Sequence, residues 1–477
     1  MNRLFPIVIS AVLLAGCTMA PDYERPASPV AASWPDKTPD AQTQSAADIG
    51  WKSFFGDARL QKLIELALAN NRDLRISVLN IEQARAQYRI QRADLLPTLE
   101  GTANATRQRL PSDLSGTGQS GMADQYSVGL GATAFELDLF GRVRSLKDSA
   151  LSQYLSTVEA RRSAQISLIG ELANAYLVER AADEQLELVR RTLATRETSY
   201  DLIKRRYASG ISSELDLRQS ETLVQSARAD LAGFERQRKQ ARNALELLVG
   251  QPLSADLPKA QPLHAQSLLA DISAGLPSQL IERRPDILAA EQKLQAENAN
   301  IGAARAAFFP RISLTGAFGT ASTELSGLFG AGSSTWSFMP QISLPIFDMG
   351  RNAASLDVAE VRKNIAVAEY EKTIQSAFRE VADGLAARAT LDGQIKAQEA
   401  AVDASRRSFE LSDYRYRKGI DNYLALLDAQ RSLFSAEQLL IQARLLRLTS
   451  LVDLYRALGG GWLEHDAALA SGEIPQP

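Results

Sequence analysis

The chain has 477 residues, of which 45% are apolar and 23% are charged, and its formal net charge is −3. This is the composition of a folded protein with a sizeable core, and the near-neutral charge argues against a nucleic-acid partner. One cysteine and two histidines, His264 and His465, do not provide a zinc site of the usual spacing. Because GxSxG, GxGxxG and P-loop motifs are also missing, we predict that the protein is not an enzyme and uses no cofactor.

The N-terminus contains a short apolar segment, Leu4 to Gly16, which is too short to cross a bilayer as a helix. We interpret residues 1–16 as a cleaved export signal. The end of this segment and the residue after it, Leu14 to Cys17, resemble a bacterial lipobox, in which the cysteine thiol is lipidated and begins the mature chain. An ordinary signal peptide that contains a cysteine is the alternative. Thr18 stands where an aspartate would resemble a signal for inner-membrane retention, so we expect the outer membrane.

The sequence repeats itself. Residues 205–217 (RRYASGISSELDL) align with 414–426 (YRYRKGIDNYLAL), and 92–99 (RADLLPTL) align with 305–312 (RAAFFPRI). Similarity at a nearly constant offset is the mark of a structural repeat. The predicted division is a lipoprotein signal peptide (1–16), a lipidated N-terminal arm (17–57), a first structural repeat (58–250), an inter-repeat linker (251–270), a second structural repeat (271–460) and a C-terminal tail (461–477).

Each repeat begins with a helix and continues with two segments that alternate apolar and polar residues. These segments predict four strands, at about residues 98–108, 125–137, 311–320 and 335–346. Strands of this length, with one apolar face, match an outer-membrane barrel, and a soluble β-sandwich is the alternative. Four strands cannot close on themselves in lipid, whereas three chains would provide twelve.

The rest of each repeat has the 3-4 apolar spacing of a coiled coil. The first series contains the residues Leu186, Val189, Leu193, Arg196, Tyr200, Ile203 and Tyr207. The helix before each glycine turn is predicted to run from about residue 144 to 207, or from 352 to 416. At 1.5 Å per residue such a helix is ~95 Å long, which suits a rod that extends into the periplasm.

With these features the chain resembles the TolC/OprM/NodT family of outer-membrane efflux ducts. The likeness rests on five features: the lipobox at Cys17, PDY.RP from Pro21, RRPDI from Arg283, the two copies of the glycine turn with its heptad helix, and RYRKGIDNYLALLDAQRSLF from Arg415. The resemblance implies a mainly α fold with a transmembrane β part, in a homotrimer with a twelve-stranded β-barrel and an α-barrel of long helices. It also implies a periplasmic adaptor (a membrane fusion protein) and an inner-membrane pump of the resistance-nodulation-division (RND) type as partners. The resemblance further implies that outer-membrane lipid surrounds the barrel, and we expect a covalent lipid on Cys17 as the only added group.

The same resemblance implies a gate at the periplasmic tip. Asp428 matches an acidic ring, Leu424 an apolar ring beside it, and Arg431 is placed to pair with an aspartate. Asp216 and Tyr416 match positions that join neighbouring coiled coils by a hydrogen bond. The alternatives are a solvated helix charge for Asp428 and a coiled-coil packing residue for Tyr416.

Two positions depart from the family pattern at this tip. Ala425 stands where some members have a second aspartate of the ring, and Asp421 stands where some have an arginine. These two departures leave a second acidic ring and one contact between subunits without support from the sequence.

The grooves around residues 206–213 and 415–423 are the expected adaptor contacts.

Three further readings compete with a drug-efflux duct. One is a structural periplasmic lipoprotein without a pore, which would have no use for four amphipathic strands. Another is a diffusion porin, a class that lacks such long helices. The third is a duct for metal efflux or protein secretion, and the scarcity of methionine and histidine disfavours a metal-dedicated route.

Overall fold

The structure is a computed structural model that describes residues 18–35, 46–114, 118–269, 272–275 and 277–462. The predicted lipidation site Cys17 and one of the two histidines, His465, lie outside these residues. The chain divides into two compact units. The first unit comprises Met1–Ala27, Asn80–Val158 and Ala289–Glu371, and the second comprises Ser28–Leu79, Glu159–Leu288 and Lys372–Pro477.

The elements follow the same order twice. The first half contains α1 (Trp51–Phe54), α2 (Ala58–Asn70), α3 (Arg72–Ala93), β1 (Leu99–Leu110), β2 (Gly121–Leu137), α4 (Arg142–Ala208) and α5 (Glu214–Val249). The second half contains α6 (Pro277–Arg283), α7 (Pro285–Ala306), β3 (Arg311–Ser322), β4 (Ser334–Ser343), α8 (Arg351–Arg417) and α9 (Tyr423–Ala457). Helices α4 and α8 each have 67 residues, or about 100 Å at 1.5 Å per residue. The long helices predicted before the glycine turns are therefore confirmed.

The four strands form one antiparallel sheet in the first unit, in the order β1-β2-β3-β4. Gly129 faces Gly319 in the β2–β3 register, and a Cβ on either glycine would clash with the opposite backbone. Large apolar side chains on the sheet are exposed, including Leu130, Trp336 and Ile342. The outer edges of β1 and β4 have no strand partner in the described part of the chain.

Two strand boundaries differ from the sequence prediction by more than two residues because pairing determines them. Strand β2 begins at Gly121, four residues before the predicted start, since Gly121 pairs with Leu110 at the end of β1. Strand β4 ends at Ser343, three residues before the predicted end, since Ser343 already faces Arg311, the first residue of β3. Alternation of side chains alone does not reveal where a partner strand stops.

A compact aromatic core organises the second unit. Phe54 of α1 stacks on Tyr455 of α9 with ring centroids 3.9 Å apart, and the Tyr455 hydroxyl donates to the carbonyl of Ile49 at 2.6 Å. Asp57 caps α2 by accepting from backbone N–H groups, and it also accepts from the Tyr176 hydroxyl at 2.6 Å. These buried contacts attach the start of the chain to α4 and α9.

Each repeat ends in an antiparallel helical hairpin, which we call hairpin A (α4 and α5) and hairpin B (α8 and α9). Ion pairs link the two helices of each hairpin at matching positions. Asp183 pairs with Arg238 in hairpin A, as Asp392 pairs with Arg447 in hairpin B. Two further positions exchange their charges between the hairpins, in the pairs Arg190–Glu235 and Glu197–Arg228 of hairpin A and Glu399–Arg444 and Arg406–Glu437 of hairpin B.

Among the helices in the described ranges, none is at once long and apolar enough to cross a membrane.

Candidate functional site

The candidate site lies at the turns that close the two hairpins. Gly210 and Gly419 have φ angles of +73° and +72°, a backbone conformation that glycine adopts without steric cost. The amide of Gly210 donates to the carbonyl of Tyr207, and the next amide, of Ile211, donates to the carbonyl of Arg206 at 2.8 Å. The same two hydrogen bonds recur around Gly419. Both long helices therefore end in a Schellman motif, which satisfies their last carbonyl groups.

The return helices begin with different caps. In hairpin A, Ser213 and Asp216 form a capping box, in which each side chain accepts a hydrogen bond from the backbone of the other. In hairpin B, Asn422 alone caps α9 by accepting from the amide of Ala425 at 3.3 Å. Asp216 is thus engaged in a local structural contact.

The ends of the two hairpins pack together through a hydrophobic group, which we call the tip cluster. Its buried members are Ile203, Leu223, Tyr416, Tyr423, Leu426 and Leu427. Leu217 and Phe409 are partly buried against it. All four helices of the hairpins contribute, so movement of one hairpin against the other must disturb this packing.

Tyr416 is a buried member of the tip cluster, with 5% of its surface exposed. Its ring lies 5.6 Å from that of Tyr423, and the Arg206 guanidinium sits 4.9 Å above it in a cation–π contact. The Tyr416 hydroxyl is buried and has no hydrogen-bond partner among the described residues. Burial, followed by the charges of Tyr416 and Asp216, raises the pKa of Tyr423 to about 12.

The predicted gate residues on α9 are exposed. Leu424 is 51% exposed, and Asp428, one turn further along α9, is also exposed, as is Arg431. The structure contains no ion pair between Asp428 and Arg431 within the described ranges, which differs from the pairing expected at that spacing. Their side chains remain free to meet groups outside the chain.

The hairpin B turn carries a bidentate ion pair that the family pattern did not suggest. Arg415 donates to both carboxylate oxygens of Asp421, at 2.6 and 2.9 Å. The Arg415 side chain lowers the pKa of Asp421 below its ordinary value. Asp421 therefore closes the turn within one chain, in the place of the arginine found in some family members.

Asp216 and Tyr416 are not hydrogen-bonded to each other in the described part of this chain, and the hydrogen bond between neighbouring coiled coils stays a prediction. Sequence reasoning missed the burial of Arg196 and of Tyr423 in the hairpins. A signal for Arg196 was present, because it is a charged residue at a coiled-coil core position between Leu193 and Tyr200. No comparable signal marked Tyr423.

The PDY.RP motif fastens the N-terminal arm to α7 in the first unit. Arg25 makes a bidentate ion pair with Glu291, at 2.8 and 2.9 Å, and the Tyr23 hydroxyl donates to the same carboxylate. Asn298 donates to the carbonyl of Pro21 at 2.7 Å. Gly302 lies against Ala20 so closely that a Cβ would clash. The motif is therefore a clamp for the segment that directly follows Cys17.

No group of three or more His, Cys, Asp or Glu side chains in the described ranges is arranged to hold a metal ion.

Comparison with known proteins places these features in a family. The sequence model of the family described as "Outer membrane efflux protein" matches residues 63–251 and 276–460. The probable efflux pump outer membrane protein TtgC of Pseudomonas putida is 51% identical over 100% of this chain and 99% of its own length. Outer membrane protein OprJ of Pseudomonas aeruginosa is 53% identical over 96% of this chain and 95% of its own.

A solved structure gives the same result for the fold. The open state of the Neisseria gonorrhoeae MtrE outer membrane channel is 46% identical, with a TM-score of 0.85 over 94% of this chain and 99% of that one. The predicted fold class, a mainly α tandem-repeat protomer with a transmembrane β part, is confirmed, as are the outer-membrane location and the role as an efflux channel. The chain belongs to the outer membrane efflux protein family, whose members are channels.

Proposed function

We propose that three copies of this chain form the outer-membrane exit duct of a tripartite efflux pump for drugs or other small molecules. The observation that carries this proposal is the four-stranded sheet, which has exposed apolar side chains and whose outer strands, β1 and β4, each have one edge without a strand partner in the described part of the chain. Unpaired backbone groups cost several kcal/mol each in lipid, so the edges β1 and β4 need strands from other chains. Twelve strands from three chains lie within the size range of membrane barrels.

The partners in this proposal are a periplasmic adaptor of the membrane fusion type and an inner-membrane pump of the RND type. The names of the relatives, which describe outer membrane proteins of efflux pumps, support them. The duct catalyses nothing and uses no cofactor, and a lipid on Cys17 anchors the N-terminal arm. The clamp of Tyr23 and Arg25 on Glu291 supports this anchor, because it fixes the chain close to the lipidated residue.

We place the gate at the hairpin ends. A ring of Asp428 carboxylates, one from each chain, would repel itself at a narrow mouth, with Leu424 forming an apolar ring beside it. Tyr416 and Asp216, with Arg431, would oppose that repulsion when the tip is closed. The buried Tyr416 hydroxyl, which has no hydrogen-bond partner among the residues that the structure describes, supports this role, since a neighbouring chain can supply an acceptor.

Opening is then a sliding of one hairpin against the other, favoured by an adaptor that binds the open packing more tightly. The grooves at residues 206–213 and 415–423 are the proposed adaptor contacts. The domain division by function follows the repeats, with 17–57 as the lipidated arm, 58–250 and 271–460 as the two repeats, and 251–270 as the linker.

Single-channel conductance in a planar bilayer tests the duct and its gate together. We expect a small conductance for the wild type and a sharp increase for the double variant Asp428→Ala with Tyr416→Phe. The matched control is Asp403→Ala with Tyr414→Phe, which changes an exposed aspartate and an exposed tyrosine of the same hairpin. It should conduct as the wild type does.

The other outcomes distinguish the alternatives. No conductance from any protein would contradict the duct and favour a structural lipoprotein. A large and equal conductance from the wild type and the double variant would show a pore whose gate lies elsewhere.

A further inference from the structure

A cavity of about 320 Å³ lies between hairpins A and B, next to the tip cluster, since Phe409 lines the cavity and packs against the cluster. Its walls combine apolar side chains with buried polar ones. The residues that matter are Arg196, Phe409, Gln430, Leu433 and Phe434. Its volume falls at the lower end of the range for small-molecule sites.

Arg196 is the unusual member of this cavity. It is 5% exposed, it stacks over Phe434 at 5.1 Å, and it donates from Nη1 to the carbonyl of Leu223 at 3.2 Å. Its Nε has no hydrogen-bond partner, and it forms no ion pair within the described ranges. Burial lowers the pKa of Arg196; Asp230 opposes this shift and the charge of Arg431 adds to it. Buried guanidinium groups are normally paired with an anion, so this one lacks its usual partner.

Gln430 of α9 adds a second polar group with an atom that lacks a partner among the described residues of the cavity. It is 7% exposed, and its Nε2 donates weakly to the hydroxyl of Ser199 at 3.4 Å. Its Oε1 is buried and has no donor among the described residues. The cavity thus offers a cationic donor and a neutral acceptor, both of which need a partner.

The charges that line the cavity favour an anion. Arg406 is neutralised by Glu437 at 3.1 Å, which leaves the positive charges of Arg191 and Arg196. Phe409 and Leu433 supply apolar surface between the polar groups. A fitting ligand therefore has a carboxylate, a small apolar body and an N–H or O–H group.

We propose that this cavity binds a small amphipathic carboxylate, with Arg196 holding the carboxylate and Gln430 accepting from the hydroxyl or amide of the ligand. The site goes beyond the proposed duct function, because it lies between the hairpins of a single chain and requires neither conduction nor a pump. A ligand bound there contacts both hairpins and would stabilise the packing that the structure shows.

Binding of 4-hydroxybenzoate to the full-length protein in a neutral detergent tests the proposal, measured by saturation-transfer difference NMR. We expect saturable binding at millimolar concentrations, and about tenfold weaker binding of the neutral analogue 4-hydroxybenzamide, which cannot form an ion pair with a guanidinium. Because this comparison uses only the wild type, it holds even if a variant fails to fold. Equal binding of the two probes, or no saturable binding, would overturn the proposal.

Two variants locate the site. Arg196→Gln should weaken 4-hydroxybenzoate binding about tenfold or more. Arg190→Gln, at an exposed ion pair on the same helix, should leave it within about twofold. Equal affinities of the two variants would overturn the assignment to Arg196. If the wild type does not bind and Arg196→Gln dissociates the oligomer in light scattering, a neighbouring chain supplies the missing anion and the ligand proposal fails.

Discussion

Replacing Arg284 with methionine should weaken the second unit strongly, because Arg284 joins three of its helices. Arg284 lies between α6 and α7, and its Nε donates to Asp286 at 2.8 Å. Its Nη2 donates to Glu380 of α8 at 2.6 Å, and its Nη1 to the carbonyl of Ala457 at the end of α9 at 3.0 Å. The arginine side chain is 12% exposed.

The expected loss of unfolding free energy depends on how much of the ion pair is buried. Removing one partner of a buried pair costs about 3–5 kcal/mol, because the other charge stays behind unpaired. The Asp286 and Glu380 side chains are 30% and 31% exposed, so water replaces part of the lost contact. We therefore expect the lower end, about 3 kcal/mol.

The neighbouring residue provides a matched control. Arg283 also pairs with a carboxylate, that of Asp48, at 2.9 Å, but the two side chains are 47% and 51% exposed. An exposed pair of this kind contributes about 0.2–1 kcal/mol. Arg283→Met should therefore have a much smaller effect than Arg284→Met, although both remove one charge from adjacent positions.

Hydrogen–deuterium exchange of α7 and of the end of α9 measures the local free energy of opening. A loss of about 3 kcal/mol accelerates exchange by about two powers of ten, whereas Arg283→Met should accelerate it less than about fivefold. Equal acceleration in the two variants would refute the reasoning, since burial is the difference on which the prediction depends.

Three further predictions concern the hairpins. Gly419→Ala should destabilise hairpin B by about 1–2 kcal/mol because φ is +72°, whereas Gly393→Ala, inside α8 with open space around it, should stabilise it by about 1 kcal/mol in thermal unfolding. The Tyr423 pKa of about 12 lies above the usual value of about 10. The stability that the buried phenol contributes is therefore complete below pH 10 and is lost as the pH rises through 12. An ultraviolet titration in which Tyr423→Phe removes no step near pH 12 would contradict this. Glu197→Arg should cost about 0.5–1 kcal/mol by facing Arg228, and adding Arg228→Glu should restore stability, as a double-mutant cycle can measure.

The repeated sequence predicted the fold well because the signal extends over long elements. Similarity between residues 205–217 and 414–426 placed both hairpin turns, and the apolar spacing of the flanking segments predicted the helices around them. The period of two predicted the four strands. These signals are sums over many residues, so no single side chain decides them.

The contacts at the hairpin ends depend on single side chains and on packing between the two hairpins, which periodicity does not report. The sequence did not predict that Arg206 and Tyr423 cover the ring of Tyr416, or that Asp216 caps its own helix. Asp421 appeared only as a departure from the family pattern, although it closes the turn with Arg415. Such contacts become visible only when the angle and distance between neighbouring helices are known.

Differences between the repeats bear on the symmetry of the proposed gate. When the two hairpin sequences are aligned, Leu424 is equivalent to Leu215 and Asp428 is equivalent to Gln219. Both leucines are exposed, at 51% and 66%, but of the two equivalent positions 219 and 428 only the one in hairpin B carries a carboxylate. A trimer would then present apolar side chains from all six hairpins and acidic ones from three. With its carboxylates on alternate hairpins, the ring has more space between like charges, which lowers the repulsion that closure must overcome. The pseudo-symmetry of the protomer thus supports a tunnel mouth with sixfold symmetry in its apolar side chains, while the carboxylates at that mouth have only threefold symmetry.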